Sequence, residues 1–316
     1  MNDWLSLVIG LLALYFGAES LVKGGAGLAT RLGLTPLVIG LTVIAFGTGS
    51  PEMVVSLQAS LSGNGAISIG NVVGSNICNI ALILGLCALI SPLRADAQVI
   101  RREVPIMIGV TVVALLVLLD GEVQRWEGAV LFAGLVVYTV LTVRQARSMI
   151  SVATEQAFAG ELGQGENLRP SLSVLAVIGG LALLVFGSHV FVKGAVSLAS
   201  EWGMSQIAIG LTIVSLGTSL PELATSLLAS VRRQGDVAIG NIVGSNIFNI
   251  LGILGVTAMV QPIVAEDLAW IDLGIVMLVS LALLPIVRSG GRISRMEGAV
   301  LLIVYIGYTA WLLNKQ

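Results

Sequence analysis

Two glutamates carry the chemistry that has to be explained. Glu52 ends "GTGSPE" (Gly47–Glu52) and Glu222 ends "GTSLPE" (Gly217–Glu222), each directly after a proline in an otherwise apolar run. A charged side chain at the centre of a bilayer costs ~2.5–3.5 kcal/mol on insertion scales, so apolar runs of this length normally exclude carboxylates. Proline removes a backbone donor and clashes with the preceding turn. Carbonyls in Ala45–Thr48 and Ser215–Thr218 can then face a cavity. Two carboxylates with freed carbonyls make an all-oxygen site, suited to a hard cation such as Ca²⁺ or Na⁺. Thr48 stands four residues before Glu52, and Thr218 four before Glu222, on one face if the helix continues. Asn71, Ser75 and Asn79 form a polar stripe at steps of four, repeated by Asn241, Ser245 and Asn249. Unpaired amides and hydroxyls are costly against lipid, so each stripe is expected to face the glutamate-bearing helix. Gly70, Gly74, Gly240 and Gly244 would let those helices approach closely.

The elements that position these residues follow from composition. The chain has 316 residues, 56% hydrophobic and 11% charged, more apolar surface than a soluble core of this size can hide. A spanning helix needs ~20 apolar residues, which leaves room for about ten. Barrel strands alternate apolar and polar residues, whereas runs such as "VTVVALLVLL" are continuous. The net charge of −2 offers no basic surface for nucleic acid. Cys78 and Cys87 share one apolar stretch without metal-ligand spacing and read as core filler. The N-terminal "MNDWLSLVIG" lacks a basic leader and reads as the first span.

The chain repeats itself at an offset of 170. Between Thr35–Gly85 and Ser205–Gly255, 26 of 51 positions are identical. The offset also pairs Phe16-Gly17 with Phe186-Gly187, Lys23 with Lys193, Pro92 with Pro262, and Glu127–Val130 with Glu297–Val300. Apolar runs place spans near 4–30, 36–61, 66–90, 103–119 and 126–145, then 171–199, 205–231, 237–260, 268–287 and 296–313. The expected architecture is an all-α membrane protein of ten transmembrane helices. Residues 1–146 form one five-helix repeat, 147–170 a cytoplasmic linker, and 171–316 a second repeat inverted in the membrane. The second and seventh helices are broken at the central site.

Five spans per half invert the second half, and charge tests this. Twelve Lys and Arg residues fall in loops opposite the N-terminus and two on its side. By the positive-inside rule both termini face outward, as in a multi-pass protein of the cell inner membrane. Paired, broken helices near the midplane of inverted halves are how many secondary transporters build a binding site.

Other charged residues read as structural. Glu19 and Lys23 are four apart and suit a local ion pair, with Lys23 snorkelling to the surface. His189, the repeat mate of Glu19, reads as a hydrogen-bonded packing residue. Glu127 and Glu297 sit near helix N-termini, where the dipole favours a carboxylate.

On these motifs the chain resembles the cation/calcium exchanger superfamily, in its prokaryotic sodium/calcium exchanger branch. That family's two repeats carry G-T-S-x-P-E followed by G-N-x-x-G-S-N. Here they are "GTGSPE" with "GNVVGSN" (Gly70–Asn76), and "GTSLPE" with "GNIVGSN" (Gly240–Asn246). The resemblance spans essentially the whole chain and implies cation antiport by alternating access. It implies that Glu52 and Glu222 are central ligands, with Thr48 and Thr218 adding oxygens. Ala45 and Ser215 would offer carbonyls, and Ser75, Ser219 and Ser245 hydroxyls, to flanking Na⁺ sites. Asn79 and Asn249 would line the middle. The first and sixth spans would slide to switch access. Ca²⁺ and Na⁺ are cargo, no cofactor is implied, and a monomer suffices.

Two departures stand out. Gly49 replaces the serine matched by Ser219, so one flanking Na⁺ site loses a hydroxyl. Ser50 lies ~100° around a helix from that position and does not replace it. Asn249 occupies a position that is Asp in some relatives, including potassium-dependent ones. With Asn79 also neutral, the pocket keeps two formal charges. One Ca²⁺ matches them, and three Na⁺ would exceed them by one.

Rivals remain in view. Buried carboxylates can also take protons, so Ca²⁺/H⁺ exchange is the alternative, although proton-coupled relatives usually carry Asn where Thr48 and Thr218 stand. An intramembrane protease would need a Ser-His pair or two aspartates. A passive cation channel would show flux independent of a counter-ion.

Overall fold

The computed structural model describes residues 3–32, 34–149, 170–202, 215–264 and 270–314. Most of the 147–170 linker, the start of the 205–231 span and the Ser215 side chain lie outside the described residues.

Helix α1 is Asp3–Leu32. Helices α2 (Pro36–Thr48) and α3 (Ser50–Leu61) form one apolar stretch bent by 44° at Gly49. Then come α4 (Gly65–Ile90), α5 (Val104–Val117) and α6 (Arg125–Met149). The second half runs α7 (Pro170–Glu201), α8 (Ser215–Thr218), α9 (Leu220–Val231), α10 (Gly235–Val260), α11 (Trp270–Arg288) and α12 (Arg295–Asn314). Among the described residues, six helices are long and apolar enough to cross a membrane, or seven if the bent α2–α3 pair counts as one span. Large apolar side chains such as Leu175, Ile303 and Ile306 point outward, as a lipid-facing surface requires.

Both breaks have a local cause. Pro51 and Pro221 sit in the first turn of α3 and α9, where the missing N–H costs least. Gly49 and Ser219 precede them with ψ of 3° and 8°, which stops the helix before each proline. Glu52 and Glu222 therefore lie in the first turn of a new helix, where the dipole favours a carboxylate.

The sequence pattern does not reveal the π-helical turns. They cover Gly40–Ile44 in α2, Cys78–Leu84 in α4, Val99–Glu103 before α5 and Asn249–Leu254 in α10. Such turns are rare and cluster at functional sites. Two pairs of two-residue strands add a minor β component. β1 (Leu93–Arg94) pairs with β4 (Arg292–Ile293), and β2 (Glu122–Val123) with β3 (Ile263–Val264). Adding 170 to Leu93 and subtracting it from Ile293 turns the Leu93↔Ile293 pairing into the Ile263↔Val123 pairing, with the two halves exchanged. Helix crossings obey the same exchange. A Cβ at Gly298 would lie 2.7 Å from the Gly85 carbonyl, and one at Gly128 2.6 Å from that of Gly255. The halves are thus related by an approximate two-fold, and the two glutamates lie on elements it exchanges.

The core sits where α2, α4, α9 and α10 meet. α10 is buried along almost its whole length, including Val237–Phe248 without a break. Gly240 permits this: a Cβ there would sit 2.7 Å from the Leu37 carbonyl of α2.

Candidate cation site

Glu52 and Glu222 are each 1% exposed. Side chains of one half approach the carboxylate of the other. Ser219 donates to Glu52 Oε1 at 3.2 Å, and Thr218 is also within hydrogen-bonding reach of Glu52. Thr48 is within reach of Glu222. Thr48 also lies 3.0 Å from the Ile44 carbonyl and 3.4 Å from Asn241 Oδ1.

Each glutamate helix is tied to the following helix by an amide. Asn71 Nδ2 donates to the Glu52 carbonyl at 3.1 Å and to Ser56 Oγ at 2.9 Å. Asn241 Nδ2 donates to the Glu222 carbonyl at 3.5 Å and to Ser226 Oγ at 2.9 Å. Asn71 and Asn241 thus face the glutamate helices. Ser56 and Ser226 had no role in the sequence reading. The signal was there, since both are serines at the repeat offset within matched segments.

The middle of the site is an asparagine cluster. Asn249 Nδ2 donates to Asn76 Oδ1 at 2.9 Å and to Ser75 Oγ at 3.1 Å. Asn79 Nδ2 donates to Asn246 Oδ1 at 3.1 Å. Asn246 Nδ2 in turn meets Met107 Sδ at 3.6 Å. With their NH₂ groups held, Asn79 and Asn249 keep buried Oδ1 atoms that accept nothing. Glu52 Oε2 and Glu222 Oε2 are also buried without a partner. These four oxygens are acceptors only, and a buried acceptor without a donor costs about 1–3 kcal/mol. A hard cation satisfies such oxygens. The Asn79 and Asn249 positions both belong to π turns, which re-aim the side chains there.

Of the predicted ligands, Thr218 and Ser219 lie at Glu52, Thr48 at Glu222, and Ser75, Asn79 and Asn249 in the asparagine cluster, which joins the Glu52 side where Ser75 donates to the Asn71 carbonyl at 2.6 Å. Ser245 Oγ is fully buried and unpartnered. The Ala45 carbonyl is not freed: it accepts the Gly49 N–H at 3.1 Å, and the Thr48 hydroxyl lies 3.5 Å from it. Helical geometry explains this, because a proline releases the carbonyl four residues back, here Gly47 and Gly217. The Gly217 carbonyl is taken by the Ser188 hydroxyl of α7. Ser215 begins α8, but its side chain is outside the described residues.

The residues read as structural are mostly so. Lys23 Nζ lies 3.0 Å from Glu19 Oε1, and Arg232 joins the same oxygen at 2.7 Å. Glu127 accepts the Gln124 N–H at 2.8 Å, and Glu297 that of Ser294 at 2.7 Å, both as N-terminal caps. Cys78 and Cys87 are buried free thiols. His189 differs from expectation: it lies on the exposed face of α7 rather than packed inside.

The family model "Sodium/calcium exchanger protein" matches residues 2–144 and 172–314. The CaxA protein of Alkalimonas amylolytica is 40% identical over 312 residues, covering 96% of each chain. The sodium/calcium exchanger MaX1 of Methanosarcina acetivorans is 31% identical over 339 residues, 97% of each. A solved structure of the sodium-calcium exchanger NCX_Mj, soaked with Na⁺ and Ca²⁺, superposes with a TM-score of 0.83 at 31% identity, over 98% of each chain. Buried, unpartnered acceptors contributed by both halves of an apolar helical chain, together with these matches, place the chain in the sodium/calcium exchanger family, as an integral membrane protein built for cation antiport.

Proposed function

We propose that this chain exchanges Na⁺ for Ca²⁺ across the cell membrane by alternating access. Na⁺ entering down its gradient would drive Ca²⁺ out. Ten spans would form two inverted five-helix repeats, 1–146 and 171–316, joined by a cytoplasmic linker at 147–170, with both termini outside. Ca²⁺ and Na⁺ are cargo here, no resident cofactor takes part, and one copy suffices.

The observation that carries this reading is the set of four unpartnered acceptors, Glu52 Oε2, Glu222 Oε2, Asn79 Oδ1 and Asn249 Oδ1. Two formal charges with neutral amide oxygens match one Ca²⁺, since oxygen donors suit a hard divalent ion. Thr48, Thr218, Ser75, Ser219 and Ser245 would add hydroxyls, and Ala45 and Ser215 backbone carbonyls, around the central ion. Relatives named as sodium/calcium exchangers support the cargo assignment. The exchange of equivalent contacts between halves supports two access states of equal geometry.

The test is ⁴⁵Ca²⁺ uptake into proteoliposomes under separate Na⁺, K⁺ and H⁺ gradients. Uptake driven by Na⁺ alone is expected. Uptake driven by a pH gradient with no response to Na⁺ would replace this reading with Ca²⁺/H⁺ exchange. Non-saturating flux that ignores every counter-ion would replace it with a channel.

A further inference from the structure

The approximate two-fold gives the site two flanks, one at each carboxylate, and they differ in one compact feature. At the Glu52 flank, Ser219 supplies a hydroxyl to Glu52 Oε1 at 3.2 Å, and Cys78 packs next to Ser219. The repeat mates of these residues are Gly49 and Phe248. Gly49 has no hydroxyl to offer Glu222. A Cβ there would lie 2.9 Å from Phe248 Cδ1 and 3.1 Å from Cε1. The phenyl ring is therefore where a serine side chain would stand. It is fixed there by stacking on Phe46, with centroids 4.8 Å apart and planes 25° from parallel. The mate of Phe46 is Leu216, so the aromatic pair exists on one side only.

The lost hydroxyl and the added ring act together. A missing oxygen ligand can be replaced by water where there is room and where polar partners hold it. Here the vacated volume holds an aromatic ring instead, so no water substitutes. The Glu222 flank keeps Glu222, Thr48 and Ser245 as oxygen sources, and Ser245 Oγ is buried with no partner, whereas its mate Ser75 accepts from Asn249 at 3.1 Å. A monovalent ion needs its ligands on several sides because each bond is weak. An oxygen set open on one side against a phenyl edge does not provide that.

We propose that the Gly49–Phe248 pair closes the Glu222 flank to Na⁺, so that this chain moves two Na⁺ per Ca²⁺ and its exchange is electroneutral. The proposal rests on the Na⁺/Ca²⁺ reading above and sets its stoichiometry. Two flanks and a centre would carry three monovalent ions against two fixed negative charges. With one flank closed, two Na⁺ match Glu52 and Glu222, as one Ca²⁺ does. Phe248 and Gly49 then determine coupling ratio without touching the carboxylate charges.

The test is the equilibrium Ca²⁺ gradient in proteoliposomes, with the membrane potential clamped by K⁺ and valinomycin. For two Na⁺ per Ca²⁺, a ~10-fold Na⁺ gradient balances a ~100-fold Ca²⁺ gradient, because each coupled ion contributes its own logarithmic term. That balance is expected in the unmodified protein, with no response to the clamped potential. A ~1,000-fold balance that shifts with potential overturns the proposal and leaves Na⁺/Ca²⁺ exchange standing. No Na⁺-driven Ca²⁺ gradient at all overturns both readings. The double variant Gly49→Ser/Phe248→Ala restores a hydroxyl and the room for it, and is expected to make exchange respond to potential. Gly49→Ser alone, set against the ring, is expected to stay electroneutral. If the double variant folds, transports and remains indifferent to potential, the pair does not set the ratio.

Discussion

The inner scaffold of the site and its rim treat the two-fold differently. In the scaffold, Asn71 with Ser56 and Asn241 with Ser226 make the same bonds, both at 2.9 Å between amide and hydroxyl. At the rim the repeat mates differ: Ser219 is matched by Gly49, Cys78 by Phe248, Phe46 by Leu216 and Ser188 by Ala18. The scaffold holds backbone, which must present each carboxylate at a helix N-terminus in either half. Any change there moves a charge whose burial is already costly. The rim decides what enters beside each carboxylate, and one flank can be altered without disturbing the other. Symmetry is kept where geometry bears the charge and relaxed where side chains select the ion.

The largest effect that could break this comparison comes from the carboxylates themselves. Glu52→Gln and Glu222→Gln are each expected to lower Na⁺-driven Ca²⁺ flux more than ~100-fold. That exceeds the ~10–100-fold typical of losing an outer partner at a metal site. Glutamine keeps size and one acceptor oxygen but removes half of the fixed charge that a divalent ion needs. Equal losses would fit a scaffold that treats the halves alike. Undiminished flux in either variant would remove that residue from the site.

Ser219→Ala sharpens the comparison by making the Glu52 flank as poor in hydroxyls as the Glu222 flank. A hydrogen bond to a charged group contributes about 1.5–3 kcal/mol, so the half-maximal Na⁺ concentration is expected to rise ~10–100-fold. Ca²⁺ affinity should change less, because both charges remain. Measuring Na⁺ and Ca²⁺ dependence separately checks this. An equal rise in both would make Ser219 a general support of Glu52 rather than a Na⁺ contact.

Much of this arrangement could be read from residue types and spacing, and the remainder had a physical reason to stay hidden. The repeat, the proline breaks, the buried glutamates and the inward polar stripes all leave local marks, since lipid punishes a misplaced polar group. The π turns leave none, because one extra residue in a turn does not change an apolar pattern. Arg232 joining Glu19 needed two helices brought together across more than half the chain. The proline breaks marked the carbonyls of Ala45–Thr48 and Ser215–Thr218, and the four-residue offset singles out Gly47 and Gly217 within them. Nothing in residue type sets Phe248 apart from its apolar neighbours, and only the fold brings its ring against Gly49. Two-residue strands are too short for any periodicity to signal.

The smallest expected effect concerns a loop that also departs from the two-fold. Gly63 follows α3 with φ of 78°, and its mate Arg233 follows α9 with φ of 61°. Both donate their N–H to a serine carbonyl three residues back, at 2.9 and 3.0 Å, so the turns match. The left-handed region costs an L-residue roughly 1–2 kcal/mol, while glycine enters it freely. Arg233→Gly removes that strain but gives the unfolded chain more freedom, which returns about 0.4–1 kcal/mol. The net expectation is a gain of up to ~1 kcal/mol, or about 2 °C in the melting midpoint of detergent-solubilised protein. Gly63→Ala should lower the midpoint by a similar amount, since it adds the strain that the other half already bears. A lower midpoint for Arg233→Gly would mean that the arginine side chain contributes more than its backbone costs, and the difference between these turns would then be functional rather than tolerated.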